Sequence, residues 1–228
     1  MTSLSIGARL ARGSLLTTRT LLALAGAIAL AGVCAALERP RSVLAAADRA
    51  LGGAACGLLL PLGVYLLVDV VCSGRRLDEA LRAATRRGAH GRASGLGALA
   101  VVAAVSAAFA CLLALISVLL ARGPADPKWA TDAAQSMPVA ALGSLAYVGL
   151  FAMGSELGKR GQGRAVLLAA DWLFGSGASV LALPWPRGHL RNLLGLEPVL
   201  DMTQPFASVM LLGLSAIFVG VALWRVRP

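Results

Sequence analysis

Residues 94–121 read SGLGALAVVAAVSAAFACLLALISVLLA, a run of 28 residues without an Asp, Glu, Lys or Arg. A helix that crosses the hydrocarbon core of a membrane needs about 20 predominantly apolar residues. This run is long enough, and apolar enough, to predict a membrane-spanning helix.

The sequence contains five more apolar runs, two before this one and three after it. Hydrophobic residues make up 58% of the 228, and the mean hydropathy is +0.78, whereas about 45–50% is usual in a soluble domain. The pattern predicts an all-α, polytopic transmembrane bundle that occupies residues 1–228 as a single domain. Its six spanning helices are predicted near residues 20–37, 50–72, 94–121, 139–157, 165–183 and 206–224.

The basic residues are distributed unevenly between the loops. The N-terminus, residues 73–93, residues 158–164 and the C-terminal tail hold 14 of the 21 Lys and Arg residues. Short loops that are rich in Lys and Arg stay on the cytoplasmic side of a membrane. The distribution therefore predicts that both termini lie inside, with an even number of crossings.

The net charge of +10 is assigned to topology and to contact with anionic lipid headgroups, not to nucleic acid. Arg outnumbers Lys by 19 to 2, a usage typical of GC-rich bacterial genomes, so the predicted location is the bacterial inner membrane. Residues 1–37 also have the basic start of a signal peptide. Their apolar run is longer than the usual 7–15 residues or so, so we expect the segment to be retained, with cleavage as the alternative.

A short amphipathic helix is predicted within the loop at 73–93. Leu77 and Leu81 lie on one side of it, Asp78 and Glu79 fall in its first turn, and Arg82 lies four residues after Asp78. These charges suit the helix dipole. Two interpretations stay open: a helix that lies on the headgroups, and a docking surface for a cytoplasmic partner.

The outer loop at 184–205 is too apolar for a solvated connector and too short to span. It contains Trp185, His189, Leu190 and Arg191. We expect an interfacial or re-entrant helix here, before the last spanning helix.

Three acids lie within or at the edges of apolar runs: Asp69, Glu156 and Asp171. Ionisable groups in a membrane are costly and warrant a functional hypothesis, here a proton relay. The simpler interpretation is local pairing with arginines of the inner face, and the position of Asp69 and Glu156 near inner helix ends favours it. The two histidines and four scattered cysteines have no metal-ligand spacing, and the spacing for a phosphate-binding loop or a serine–histidine dyad is also missing. Neither an enzyme nor a cofactor on this chain is expected.

With this architecture, the chain resembles the permease subunits of ABC-2-type ABC transporters. The similar stretches are residues 73–82 (SGRRLDEALR), 146–160 (AYVGLFAMGSELGKR) and 183–194 (LPWPRGHLRNLL). The first matches the place where that family has a short coupling helix, and the third matches an outer re-entrant element before the last helix.

The resemblance implies an export function. A separate ATPase subunit would bind the inner face through Leu77, Asp78, Glu79, Leu81 and Arg82, and the chain would form a homodimer or a heterodimer with a second permease. Two alternatives stay open: a proton-coupled secondary transporter that uses Asp69, Glu156 and Asp171, and a non-transporting membrane scaffold or intramembrane enzyme.

Overall fold

Helices account for the whole regular structure of the described chain. A computed structural model describes residues 2–39, 46–122 and 128–226, and it contains no strand within those ranges. A π-helix, Leu51–Leu59, leads into α4. The α-helices are α1 (Ser3–Leu15), α2 (Thr18–Glu38), α3 (Ala46–Ala50), α4 (Leu60–Cys72), α5 (Leu77–Thr85), α6 (Gly91–Ala121), α7 (Trp129–Ser155), α8 (Gly163–Phe174), α9 (Pro186–Leu193) and α10 (Gln204–Arg225).

Five helical stretches of the described chain are long and apolar enough to cross a membrane. This confirms the predicted all-helical fold and gives five candidates for membrane-spanning helices. The fourth predicted span was placed at 139–157, but α7 begins ten residues earlier, at Trp129, and it passes through Pro138 without a break. The five stretches are Thr18–Glu38, Ala46–Thr85, Gly91–Ala121, Trp129–Ser155 and Gln204–Arg225.

The fifth predicted helix, at 165–183, does not form a continuous span. The stretch on which this prediction rests includes the sequence Gly-Ser-Gly-Ala-Ser at 175–179. Gly and Ser both favour turns and helix ends over helix interiors. Accordingly α8 ends at Phe174 after 12 residues, a length of about 18 Å. Turns and the 3₁₀ segment Val180–Ala182 follow it.

An amphipathic helix that the sequence had not predicted opens the chain. The side of α1 that carries Gly7, Ala11 and Leu15 is buried, and α1 packs closely along the first part of α6. Gly7 and Gly97 allow this approach, because a Cβ at Gly97 would lie 2.1 Å from the carbonyl oxygen of Leu4. The N-terminal basic segment is therefore docked onto the bundle.

A second close fit lies around Pro61 and Gly63, at the start of α4. The wider π-helical turns end just before Pro61, which occupies the start of α4. The ring of Phe109 on α6 fills the space beside Gly63, where a Cβ would be only 2.3 Å from it. The irregular turns therefore let α4 pack against α6 while accommodating a proline.

The four segments predicted to lie inside meet at one end of the bundle, which we call the basic end. The backbone N–H of His90 donates to Oγ of Ser3, which joins the start of α6 to α1. Arg76 and Arg225 both donate to the backbone carbonyl of Glu156. The N-terminal helix, the 73–93 segment, the turn after α7 and the end of α10 are therefore neighbours.

Candidate functional site

A buried carboxylate at the basic end, that of Glu156, is bound by groups of a different segment. It follows the last residue of α7 and is 1% exposed. Its Oε1 accepts a hydrogen bond from the backbone N–H of Asp78 at 3.0 Å, and its Oε2 forms an ion pair with Arg76 at 3.3 Å. A carboxylate at a helix N-terminus satisfies a free amide and interacts favourably with the helix dipole. Glu156 therefore caps α5 from a different helix.

A second ion pair fixes the segment just before α5. Arg164, on the first turn of α8, is 2% exposed, and one of its nitrogens lies 2.6 Å from Oδ1 of Asp69 on α4. The other terminal nitrogen donates to the carbonyl of Arg75 at 3.1 Å. A short, charge-assisted contact of this kind is stronger than a neutral hydrogen bond.

Together these two clusters tie α5 to the rest of the bundle. Glu156 comes from the end of α7, Asp69 from the end of α4, Arg164 from the start of α8, and Arg225 from the end of α10. α5 and the turn before it are hydrogen-bonded directly to Glu156 and Arg164, and these two residues in turn contact Asp69 of α4 and Arg225 of α10. The arrangement can transmit a push on α5 to the membrane-spanning helices.

The two sides of α5 differ in what they contact. Leu77 and Leu81 are buried in this chain, and Leu81 is only 3% exposed. Asp78 and Glu79 are partly exposed, while the side chain of Arg82 is 56% exposed and lies 3.9 Å from Asp78. Of the five residues that the sequence associates with docking, the three charged ones are therefore at least partly exposed, and the two leucines are buried against the rest of the chain.

The predicted local pairing of the membrane acids is confirmed for two of the three. Asp69 pairs with Arg164 and Glu156 with Arg76, and both arginines belong to the basic end. For Asp171 that expectation was wrong. Its buried carboxylate accepts from the hydroxyl of Tyr147 at 2.9 Å and from the backbone N–H of Arg187 at 3.2 Å.

The three acids are thus split between two locations. Among the described residues, no hydrogen bond or ion pair joins Asp171 to Asp69 or Glu156. Asp171 instead connects the core of α7 with the start of α9. A relay through all three carboxylates is not assembled by these contacts.

The short helix predicted in the outer loop is present as α9, and it is largely buried. Leu190 is enclosed by the bundle, and the ring of Trp185 stacks on Phe174 with 6.3 Å between centroids. Arg191 donates to the carbonyl of Ser176. The residues of this element therefore hold α9 to the end of α8 and against α7 and α10.

His189 is the one titratable group of α9 with a perturbed pKa. Burial lowers the pKa of His189 from its ordinary value, and the hydrogen bond to Leu183 opposes part of that effect. Its Nε2 lies 2.8 Å from the Leu183 carbonyl oxygen. Because a carbonyl can only accept, Nε2 carries the proton of the neutral ring. His189 thus acts as a structural hydrogen-bond donor.

Sequence reasoning missed Arg164 and Tyr147, whose partners lie 95 and 24 residues away along the chain. Pairings at such separations leave no periodic signal. The sequence indicated only that an acidic residue, Asp171, lies within an apolar run. It did not identify the partner of that residue.

No three His, Cys, Asp or Glu side chains in the described ranges are placed to hold a metal ion. What distinguishes the basic end is its set of connections between helices, which suits mechanical coupling. Comparison with family models, with curated proteins and with solved structures finds no match to this chain.

Proposed function

We propose that the chain is the permease subunit of an ATP-binding-cassette exporter in a bacterial inner membrane. The observation that supports this most strongly is the connection of α5 to α4, α7, α8 and α10 through Glu156 and Arg164. A transport subunit without its own ATPase needs an element that receives motion from a partner and passes it to the spanning helices. The connections of α5 suit that role.

In this proposal, a cytoplasmic ATPase subunit contacts the charged side of α5 at Asp78, Glu79 and Arg82. ATP binding and hydrolysis on the partner displace α5, and the ion pairs carry the displacement into the bundle. Two permease subunits, identical or different, form the pathway between them. This chain supplies no covalent chemistry and no cofactor.

The docking assignment is tested by reversing one exposed charge. Arg82→Glu leaves the buried side of α5 intact, because the Arg82 side chain is 56% exposed and its 3.9 Å pair with Asp78 contributes only about 0–1 kcal/mol. We expect co-purification of the ATPase from native membranes to fall at least about tenfold, since like charges at an interface cost several kcal/mol. The amount of ATPase is measured by quantitative mass spectrometry of the purified complex.

Arg92→Glu is the matched control, because Arg92 is exposed at the start of α6 but lies outside α5. It should retain the ATPase at the wild-type level. Equal retention by both variants would contradict the docking assignment. Leu81→Glu is less informative, because a charge at this buried position would disturb the fold itself.

A proton-coupled secondary transporter is the second candidate, and the buried Asp171–Tyr147 pair is the observation that favours it. Asp171→Asn separates the two functions. An Asn side chain can still accept from the N–H of Arg187 and donate to Tyr147, so the fold should persist. The exporter proposal expects ATP-driven transport to remain within about threefold of wild type. Loss of transport with an unchanged melting temperature would favour proton coupling instead.

A further inference from the structure

The basic end contains a cavity of about 590 Å³, and the coupling role proposed for α5 uses only two of its lining residues, Glu79 and Arg82. It lies between the turn after α4 and the turn after α7, so it opens within one turn of the ends of two spanning helices. Three of its lining residues are arginines and one is a glutamate. Its lining consists of Ser73, Gly74, Arg75, Glu79, Arg82 and Arg160.

The charges of this cavity are only partly compensated within the chain. Arg82 has Asp78 at 3.9 Å, but among the described residues neither Arg75 nor Arg160 forms a salt bridge. Both side chains are exposed. Guanidinium groups bind phosphate oxygens through paired, charge-assisted hydrogen bonds. The cavity therefore favours a phosphate group over a neutral ligand.

The backbone that presents these arginines is fixed. The buried Arg164 holds the carbonyl of Arg75 at 3.1 Å, and a Cβ on Gly161 would lie 2.7 Å from that same oxygen. Arg160 sits in the left-handed region with φ of 52°. The two turns are therefore in direct contact, and the cavity is built without any contribution from a partner.

An uncovered apolar helix face begins beside the cavity. α8 starts three residues after Arg160, and its Val166 and Leu173 are 65% and 74% exposed. They are seven residues apart and so lie on the same side of the helix. The 12 residues of α8 extend about 18 Å, close to the roughly 15 Å of hydrocarbon in one leaflet.

We propose that this cavity binds the phosphate headgroup of an acidic phospholipid, whose acyl chains lie along the exposed side of α8. Clefts with several basic side chains at the cytoplasmic surface of a membrane protein are suited to anionic headgroups. The Ser73 hydroxyl adds a neutral donor, and Glu79 limits the net charge. This site goes beyond the proposed transport function and does not depend on it, since this chain alone forms it.

The test is native mass spectrometry of the purified protein titrated with dioleoyl phosphatidylglycerol, and with dioleoyl phosphatidylcholine as the neutral lipid. We expect the acidic lipid to bind at least about tenfold more tightly. The variant Arg75→Gln/Arg160→Asn should weaken that binding roughly thirtyfold, given the attraction of each basic side chain for anionic lipid. Asn suits the left-handed backbone at 160, so the turn should keep its shape.

Arg86→Gln/Arg87→Gln is the matched control, because both residues are exposed just after α5 and outside the cavity. It should bind phosphatidylglycerol within about twofold of wild type. Equal effects of the two double variants would overturn the proposal, and so would equal binding of the two lipids.

Two further outcomes would assign a different ligand to the cavity. Binding of inorganic phosphate at millimolar concentration, without any preference for phosphatidylglycerol, would show a phosphate site that takes no lipid. Unchanged lipid binding in Arg75→Gln/Arg160→Asn, together with loss of a protein subunit from the complex, would assign the arginines to a protein partner. Either result overturns the lipid assignment.

Discussion

At the scale of single residues, Glu156 is the side chain that caps α5. Its carboxylate is buried, so its charge is stabilised by Arg76 and by the N-terminus of α5 and not by water. Removing one partner of a buried pair usually costs more than the pair contributes, because the other charge is left uncompensated. The N-terminus of α5 is therefore capped by a side chain from the end of another helix, in addition to the packing of Leu77 and Leu81.

The substitution Glu156→Gln keeps the shape of the side chain and one hydrogen-bond acceptor, but it removes the negative charge. We expect a loss of about 1–2 kcal/mol in the free energy of unfolding, or a fall of roughly 3–6 °C in melting temperature for a chain of this size. Thermal unfolding of the purified protein in detergent measures this fall in melting temperature. Glu79→Gln, at a partly exposed position on α5, should shift the melting temperature by less than about 1 °C. A fall of the same size in both variants would show that Glu156 has no special role.

At the scale of elements, the contact between α1 and α6 depends on the absence of side chains. Gly7 lies so close to the backbone of Ser94 that a Cβ there would be 1.8 Å from its carbonyl oxygen. Such spacing lets two helix backbones approach without steric conflict. It explains how a polar, basic N-terminal helix is held against a spanning helix.

Matched glycine substitutions test this contact. In Gly97→Ala the new methyl group would meet the backbone of α1 at 2.1 Å, whereas in Gly213→Ala on α10 it would meet nothing within 4 Å. We expect Gly97→Ala to lower the free energy of unfolding by about 1–3 kcal/mol through overpacking. Gly213→Ala should be neutral or raise it by up to about 1 kcal/mol, because Ala favours helix. Indistinguishable unfolding midpoints would argue against the close contact of α1 and α6.

Long apolar runs were sufficient to predict the spanning helices α2, α4, α6, α7 and α10. The sequence also indicated α5 and α9, since charge and apolar spacing mark short amphipathic helices. The sequence analysis did not predict that α8 is short, because counting apolar residues does not take into account that Gly175–Ser179 favours the end of a helix. Local spacing located Asp69, Glu156 and Asp171, but only the fold could reveal their partners.

At the scale of the whole molecule, two separate sets of polar connections hold the helices. At the basic end, Asp69, Glu156 and Arg164 join five helices, and a second set, through Asp171, joins Tyr147 of α7 to the start of α9. The packing of the buried core is otherwise mainly apolar. A displacement applied to α5 would therefore act on the other four helices of the first set through these contacts. This connectivity is the physical basis of the transport proposal.

The most direct measurement of that claim is site-specific photocrosslinking in native membranes. A photoreactive amino acid replaces Ala83, which is exposed on α5, and a second variant carries it at Leu212, which is exposed on α10. The exporter account expects the α5 position to crosslink to an ATP-binding-cassette ATPase and the α10 position to crosslink to lipid or to no ATPase. Absence of any ATPase from the α5 crosslinks, in membranes where the chain is correctly inserted, would contradict it.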